Sequence, residues 1–258
     1  MNKNLGQSWT ERRTRKRAQE LWSRILSQAD GLSLRNLIKL RSDAVKLADT
    51  ARQFSQVASN EIGKSLAKNA EIAATKRADW AWRPEVFFHS GCVHTQINPT
   101  SGQELGSNLT LHHDAKNPEM IVRQTPTLRS TNLAPFDFVM EVYDFEGSFL
   151  SLAFDLPDQA LDGLSNQNIF EMDLRLSTEH TLPIFARINV QHGPNVDEQI
   201  KEITELGTQF NVEFDLGYMN LNENRLEKVW IDLIFDDAQM NKIVLHDVTI
   251  CRRLRAQF

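Results

Sequence analysis

The sequence predicts an α+β protein in which an N-terminal α-helical hairpin or coiled-coil segment is followed by an antiparallel, jelly-roll-like β-sandwich. Residues 8 to about 75 contain no proline and carry apolar residues at helical spacing. From Phe136 onward, apolar and polar residues alternate in short runs separated by turn residues, which is typical of half-buried strands. No helix-length segments separate most of these runs, so a parallel α/β fold is disfavoured.

The chain is expected to have three regions. Residues 1–78 form a basic helical hairpin, residues 79–135 a loop-rich connector whose short strands contribute to the sandwich, and residues 136–258 an acidic β-sandwich. The overall charge of −5 hides a contrast, because residues 1–79 hold 16 Lys/Arg against 8 Asp/Glu and the remainder hold 13 against 26. This contrast predicts either an anionic partner for the helices or attraction between the two halves.

Two apolar stripes define the predicted helices, with Asp30-Gly31 as the turn between them. The first stripe is Leu21, Trp22, Ile25, Leu26 and Ala29. The second has alternating steps of three and four residues, as in a coiled-coil seam: Leu37, Leu40, Ala44, Leu47, Ala51, Phe54 and Ala58. The alanines of this seam bury little apolar surface. We therefore expect the helices to be stable only when the helical segment self-associates or contacts the other half of the chain.

Strands are predicted wherever the two-residue alternation is sustained. The corresponding segments are NLTLHHD, EMIVRQ, FDFVMEVYDF, SFLSLAFDLP, IFEMDLRLS, PIFARINV, QFNVEFDLGY, KVWIDLIFD and KIVLHDVTICR. Glu146-Gly147 is predicted to join the third and fourth as a hairpin. His192 is expected to end a strand at Gly193-Pro194, and NVDEQIKEITELG is predicted to form a short helix with Asn195 as its N-cap.

Candidate ligand-binding residues lie on the outward-facing parity of the strands. In KVWIDLIF, Trp230, Asp232 and Ile234 share one side, opposite the more apolar one. An exposed tryptophan can stack on a sugar ring, because both present a flat apolar face. We therefore single out Trp230 and Asp232, together with the acid Asp215 and the lone outward cation Arg187. Simple solvation of an exposed face explains the acids equally well.

Trp80 and Trp82 occur in DWAWRPE, at the boundary between the helical and sandwich regions. In an extended segment both rings lie on the same side. Because large rings at a boundary gain from burial, we predict that these two tryptophans dock the two halves together.

The segment HSGCVH brings the soft donors His89, Cys92 and His94 within six residues. A tetrahedral zinc site needs a fourth ligand, and no second cluster has the familiar spacing, so neither a metal nor another cofactor is predicted. In LHHD, the adjacent His112 and His113 point to opposite faces of a strand. No serine-nucleophile motif or phosphate-binding loop is present, so no catalytic residue is assigned.

The basic cluster RRTRKR at residues 12–17 fills the polar face of the first predicted helix. No nucleic-acid-binding signature accompanies it, so a solvated helical face is favoured over contact with nucleic acid. The chain shows no secretory signal and no apolar run long enough for a membrane span. With only two distant cysteines, Cys92 and Cys251, it is expected to be cytoplasmic.

The segments DWAWRPE, GSFLSLAFDLP, FARINVQHGPN and LNENRLEKVWIDLIFDDAQMN resemble an uncharacterised protein family of Rhodobacter-like alphaproteobacteria. That resemblance implies no activity. The strand IVLHDVTI is more loosely similar to the last strand of carbohydrate-binding β-sandwiches, in some of which an acid of this strand helps to hold calcium. This similarity makes Asp247 the matching position, although the other ligands of such a site cannot be identified.

Three functional hypotheses follow. The first is a non-catalytic binding or scaffolding protein, whose sandwich recognises a carbohydrate or protein ligand while the helices mediate assembly. The second is a saccharide-active enzyme that uses paired acids on the sandwich face. The third is a helix-mediated adaptor with a purely structural sandwich. We expect the first, which is not an enzyme.

Overall fold

The computed structural model describes residues 8–66, 78–127, 134–203 and 207–255. Two helices precede two antiparallel sheets that form a β-sandwich, so the predicted fold class is confirmed. Residue contacts divide the chain into two units, Met1–Ser55 and Gln56–Phe258. The predicted helical residues 67–75 lie outside the described part of the chain.

The helices are α1, Trp9–Ser27, and α2, Leu34–Leu66, with a single 3-10 turn at Ala29–Gly31 between them. At the start of α1, a Glu11 carboxylate oxygen accepts a hydrogen bond from the Ser8 backbone N–H, one of the donors that an α-helix leaves unpaired at its N-terminus. The side chains described in both helices are exposed or half-buried.

The strands occupy most of residues 80–254. In chain order they are β1 Trp80–Trp82, β2 Gln96–Ile97, β3 Gln103–Gly106, β4 Leu109–His113, β5 Glu119–Pro126, β6 Phe136–Asp144, β7 Leu150–Asp155, β8 Asn168–Thr178, β9 Ile184–His192, β10 Asn195–Glu202, β11 Gln209–Asp215, β12 Leu226–Phe235 and β13 Asn241–Leu254. In the described residues, the first sheet has the order β11-β8-β13-β6-β5-β2, with β1 also paired to β13. The second sheet has the order β10-β9-β12-β7-β4-β3.

The core lies between the inward faces of the two sheets, where alternate residues of strands such as β8, β9 and β11 are buried. Phe170, Met172, Leu174 and Leu176 of β8 follow the predicted parity and are almost completely buried. The inward residues predicted for β9 are equally buried: Ile184, Ala186, Ile188 and Val190. Because polar residues occupy the alternate positions, each sheet presents a mixed outer face.

The predicted hairpin at Glu146-Gly147 is wrong. β6 belongs to the first sheet and β7 to the second, so the connection crosses between the sheets. A Cβ on Gly147 would lie 2.7 Å from both Asp114 Oδ1 and the Phe145 ring, so this loop requires a residue without a side chain. The glycine signals a close approach of backbone to side chains, which the sequence pattern does not distinguish from a tight turn.

The short helix predicted after Asn195 is also wrong, because Asn195–Glu202 form the edge strand β10; residues 204–206 of the predicted segment lie outside the described part of the chain. Asn195 pairs with His192 across the two-residue turn Gly193-Pro194, and β10 runs antiparallel to β9 from there. The ladder of β9 supplies hydrogen-bond partners along the segment, and this tertiary pairing outweighs its local helical spacing. His192 ends β9, as predicted.

Candidate functional site

A cavity of about 460 Å³ opens on the outer face of the second sheet. Its lining residues come from strands β4, β7, β9 and β12 and from the loop before β7: His112, Phe149, Ser151, Arg187, Trp230, Asp232 and Ile234. We call it the Trp230 cavity. Its volume lies within the range of small-molecule binding sites in proteins.

Strand register brings these side chains together. Asp232 of β12 pairs with Arg187 of β9, and Ile234 pairs with Ser151 of β7 on the other side. Ser151 in turn pairs with His112 of β4. Side chains of directly paired residues point to the same face of a sheet, so these residues form rows across the strands.

Arg187 and Asp232 form the charged part of the cavity. Arg187 donates from Nε and Nη2 to Asp232 Oδ2, at 3.1 and 2.9 Å. Asn189 Nδ2 donates to the same oxygen at 2.9 Å, and Arg187 Nη1 donates to Glu198 Oε2 at 3.4 Å. The Asp232 side chain is 6% exposed and that of Arg187 36% exposed. The buried carboxylate therefore fixes a guanidinium whose outer edge is accessible.

Trp230 supplies a half-buried aromatic surface two residues before Asp232. Lys228 Nζ lies 5.5 Å from the Trp230 ring centroid and 2.8 Å from Asp155 Oδ1. Cation–π attraction and the ion pair together favour this position of the lysine beside the ring. Trp230 is thereby flanked by a fixed cation as well as by the charged pair of the cavity.

The loop before β7 forms one edge of the cavity and is fastened by Asp114. Its Oδ1 accepts hydrogen bonds from the backbone N–H groups of Ser148 and Phe149, at 2.7 and 3.3 Å. Its Oδ2 accepts from the Ser148 hydroxyl at 2.5 Å. These hydrogen bonds hold the pKa of Asp114 below its usual value, and the one from the Ser148 hydroxyl has the largest effect. Asp114 thus positions the partly exposed Phe149 ring.

Three of the four residues predicted to bind a ligand, Trp230, Asp232 and Arg187, line this cavity. Asp215 lies on β11 of the first sheet, where it accepts a hydrogen bond from Gly217 N and lies 3.3 Å from Arg255 Nη2. The sequence prediction did not include four of the lining residues: His112, Phe149, Ser151 and Ile234. Strand parity placed Ile234 beside Trp230, but no local signal relates the other three to β12.

Both tryptophans predicted to dock the halves belong to β1, which pairs with β13. Trp82 is buried in the sandwich core, and Trp80 packs edge-to-face on Phe170 with ring centroids 6.2 Å apart. The two rings therefore contribute to the second unit itself. Docking of the helical region onto them stays a prediction.

Asp247, the position matched to calcium ligands, binds an arginine instead. Arg83 Nη2 donates to Asp247 Oδ2 at 3.0 Å, and Arg83 Nε lies 2.9 Å from Oδ1 as an ion-pair contact. Burial raises the pKa of Asp247, and the Arg83 charge opposes this effect without cancelling it. A carboxylate already paired on both oxygens is poorly suited to bind a cation as well.

A buried histidine on the first sheet is hydrogen-bonded at both ring nitrogens. His246 Nε2 lies 2.9 Å from Ser177 Oγ, and Nδ1 lies 3.1 Å from Asp137 Oδ1. His246 occupies a β-bulge, where the register of β13 against β8 shifts between Leu245 and Asp247. The connectivity is that of a serine–histidine–aspartate triad, and the His246 side chain is 5% exposed.

Glu85, His89 and Cys92 lie together at the start of the sandwich, with their ligand atoms within 4.8 Å of one another. Two of them belong to the soft-donor trio of the sequence, while His94 is not part of this group. Burial, and secondarily the charge of Glu85, raise the pKa of the Cys92 thiol to about 11. No helix in the described residues is long and apolar enough to span a membrane.

The fold and the cavity define a β-sandwich protein with a helical N-terminal segment and an aromatic, charged depression on one sheet. The whole chain, residues 1–258, belongs to the family of unknown function DUF6478. This confirms the predicted resemblance to an uncharacterised family. No curated protein matches the chain in sequence.

The chain is similar to parts of several solved structures. The enzymatically active domain of tailspike protein 4 from bacteriophage CBA120 has 13% identity and a TM-score of 0.40, over 61% of this chain and 21% of that one. The family 11 carbohydrate-binding module from Clostridium thermocellum has 13% identity and a TM-score of 0.37, over 64% and 99%. The CBM22-1 xylan-binding domain from Paenibacillus barcinonensis has 9% identity and a TM-score of 0.35, over 64% and 95%. The matched part of the chain thus spans about a fifth of the tailspike domain.

Proposed function

We propose that this protein is a non-catalytic carbohydrate-binding protein whose ligand site is the Trp230 cavity. The observation that carries the proposal is the placement of a half-buried tryptophan beside an immobilised Arg187–Asp232 pair in an open depression of about 460 Å³. A pyranose ring has an apolar face that stacks on an indole and hydroxyl groups that need directional hydrogen bonds. The cavity offers both kinds of contact.

The polar groups around Trp230 match the hydroxyls of a neutral sugar. A guanidinium has five N–H donors, of which Arg187 uses three on Asp232 and Glu198. Its remaining donors can bind sugar oxygens, and the Ser151 hydroxyl and His112 imidazole can donate or accept. Because the Asp232 carboxylate already holds the guanidinium in place, little conformational entropy is lost on binding.

The arrangement of acids favours binding over hydrolysis. A glycosidase places two carboxyl groups about 5–10 Å apart on either side of the scissile bond. Here Asp232 and Glu198 both bind Arg187, and Asp155, which pairs with Trp230 across the strands, binds Lys228, so each of these acids is engaged by a cation. The saccharide-active enzyme remains an alternative, and product formation from a bound glycan would support it.

A glycan array probed with the full-length chain tests the proposed function. We expect binding to neutral oligosaccharides that is lost in Trp230→Ala and retained in Tyr218→Ala. Tyr218 is a suitable control because it is an exposed aromatic residue that is 77% accessible and does not line the cavity. The absence of binding to every glycan, or equal binding by both variants, would refute the proposal.

We further propose that the helical segment associates with a second copy of the chain. Along α2 the seam residues Leu37, Leu47 and Phe54 are 37%, 48% and 73% exposed. Their three-and-four spacing is complementary to an identical seam, because two helices with this repeat interlock their side chains. A second copy therefore accounts for both the spacing and the exposure.

Light scattering coupled to size exclusion tests this association. The native chain is expected to be dimeric, and Leu47→Glu to be monomeric. Val45→Glu is the matched control, since Val45 is 50% exposed but lies off the seam. A monomeric native protein at about 100 µM, or dissociation by both substitutions alike, would refute self-association.

A further inference from the structure

We propose that Glu85, His89 and Cys92 form a zinc-binding site. Their ligand atoms lie within 4.8 Å of one another. Zinc binds such ligands at about 2.0–2.3 Å, so the donors of an occupied tetrahedral site are about 3.5 Å apart. Occupancy therefore requires side-chain rotations that bring the three ligand atoms to that separation. In the described residues no other group of three His, Cys, Asp or Glu side chains is this close.

The local backbone explains why these three side chains converge. Pro84 precedes a 3-10 turn at Glu85–Phe87, and the His89 backbone N–H donates to the Glu85 carbonyl at 2.8 Å. This single turn places residues 85 and 89 on one side of the segment. Gly91, with a φ of 77°, then reverses the chain so that the Cys92 thiol lies 3.7 Å from the Glu85 carbonyl oxygen.

Gln124 of β5 holds the segment in this shape. Its Nε2 donates to the carbonyl oxygens of Val86 and His89, both at 2.6 Å. Its Oε1 accepts from the Gly91 backbone N–H at 2.8 Å. One side chain from the sheet thus fixes the backbone at three points between the first and last proposed ligand. We assign Gln124 as a positioning residue for the site.

The donor set selects zinc over the common hard cations. A thiolate and an imidazole are preferred by zinc, whereas calcium and magnesium bind almost exclusively through oxygen. Cys92 binds as the thiolate, so its proton passes to solvent when the metal enters. His89 is exposed and the other two ligands are half-buried. Three protein ligands leave the fourth tetrahedral position to a water molecule.

Zinc titration of the full-length, tag-free chain after chelator treatment tests the site. We expect one zinc ion per chain, and cobalt substitution should give the charge-transfer absorption of a cobalt–thiolate bond. Cys92→Ser and His89→Gln should each weaken zinc binding at least tenfold. Gln124→Leu removes no ligand and should weaken zinc binding about tenfold, as loss of an outer hydrogen-bond partner does in other metal sites.

Two matched variants separate this site from adventitious binding. His94→Gln changes a histidine of the same segment that is outside the group, and Cys251→Ser changes the other, buried cysteine. Both should retain stoichiometric zinc binding and the cobalt–thiolate absorption. Circular dichroism establishes that each variant is folded, and only folded variants are compared. The inference is overturned if the native chain binds no zinc, or if Cys92→Ser and His89→Gln bind it as tightly as the native chain.

Discussion

Arg187 and Asp232 are paired residues on neighbouring strands, and the guanidinium donates twice to one carboxylate oxygen, at 2.9 and 3.1 Å. The carboxylate is almost completely buried, whereas the arginine is partly exposed. A buried charge is costly unless it is paired and hydrogen-bonded. Removal of either partner should therefore be costly, and the pair fixes the guanidinium that we propose as a binding group.

Replacement of Arg187 by methionine should destabilise the protein. The change leaves a buried carboxylate with Asn189 as its hydrogen-bond donor. We expect the free energy of unfolding to fall by about 1–3 kcal/mol. Arg52→Met is the control, because Arg52 forms an exposed ion pair with Asp49 and should lose at most about 1 kcal/mol. Urea denaturation measures both, and equal losses would contradict the role assigned to Arg187.

The crossing loop between the sheets should be intolerant of a methyl group at Gly147. A Cβ there would lie 2.7 Å from Asp114 Oδ1 and from the Phe145 ring. We expect Gly147→Ala to cost about 1–3 kcal/mol, through overpacking and displacement of Asp114. At Gly207 the nearest atom is 4.0 Å away, so Gly207→Ala should change stability by less than about 0.5 kcal/mol. Thermal denaturation measures both variants. Indistinguishable melting temperatures would refute this packing argument.

The stabilisation that the Glu141 carboxylate contributes should be lost at acid pH. Burial alone would raise its pKa, but hydrogen bonding and charge attraction from Arg123, assisted by Lys242, lower the pKa below 4.5. The unfolded state then binds more protons than the folded state as pH falls. The stabilisation is present above pH 4.5 and is lost as pH falls through the folded-state pKa. Glu141→Gln should flatten this part of the pH–stability curve, and an unchanged acid slope would contradict the assignment.

The Ser177–His246–Asp137 network should be structural. A catalytic serine needs donors placed at the developing oxyanion, whereas Ser177 lies within β8 and pairs with Val244 of β13. His246→Leu leaves two hydrogen-bonding partners unsatisfied, so we expect a loss of about 1–3 kcal/mol. A fluorophosphonate probe should leave Ser177 unmodified. Stoichiometric labelling of Ser177 that disappears in His246→Leu would assign a hydrolytic role instead.

The sequence predicts strand parity well, because alternation of polar and apolar residues directly reflects burial on one face. Parity placed Trp230 and Asp232 on the same outer face and turned Arg187 away from the core. It does not reveal which sheet a strand joins. Asp215 has the expected outward position, but β11 belongs to the other sheet, so this acid lies apart from the cavity.

The remaining parts of the site depend on long-range pairing. β7 lies between β12 and β4, although about 70 residues separate β7 from β12 in the chain. This pairing brings Ser151 and His112 to the cavity, and no local pattern of the sequence encodes it. The sequence predicts a hairpin at the crossing loop that places Phe149, because a local turn signal does not show that β6 and β7 join different sheets. Likewise, Glu85 joins His89 and Cys92 through a 3-10 turn that periodicity does not reveal.

The most direct test of the central claim is the affinity of one identified oligosaccharide for Trp230→Ala and Tyr218→Ala, measured by titration calorimetry. Loss of the stacking surface should raise the dissociation constant at least tenfold in Trp230→Ala, which corresponds to about 1.4 kcal/mol. Tyr218→Ala should bind like the native chain. Unchanged affinity in the folded Trp230→Ala variant would show that the Trp230 cavity is not the carbohydrate site.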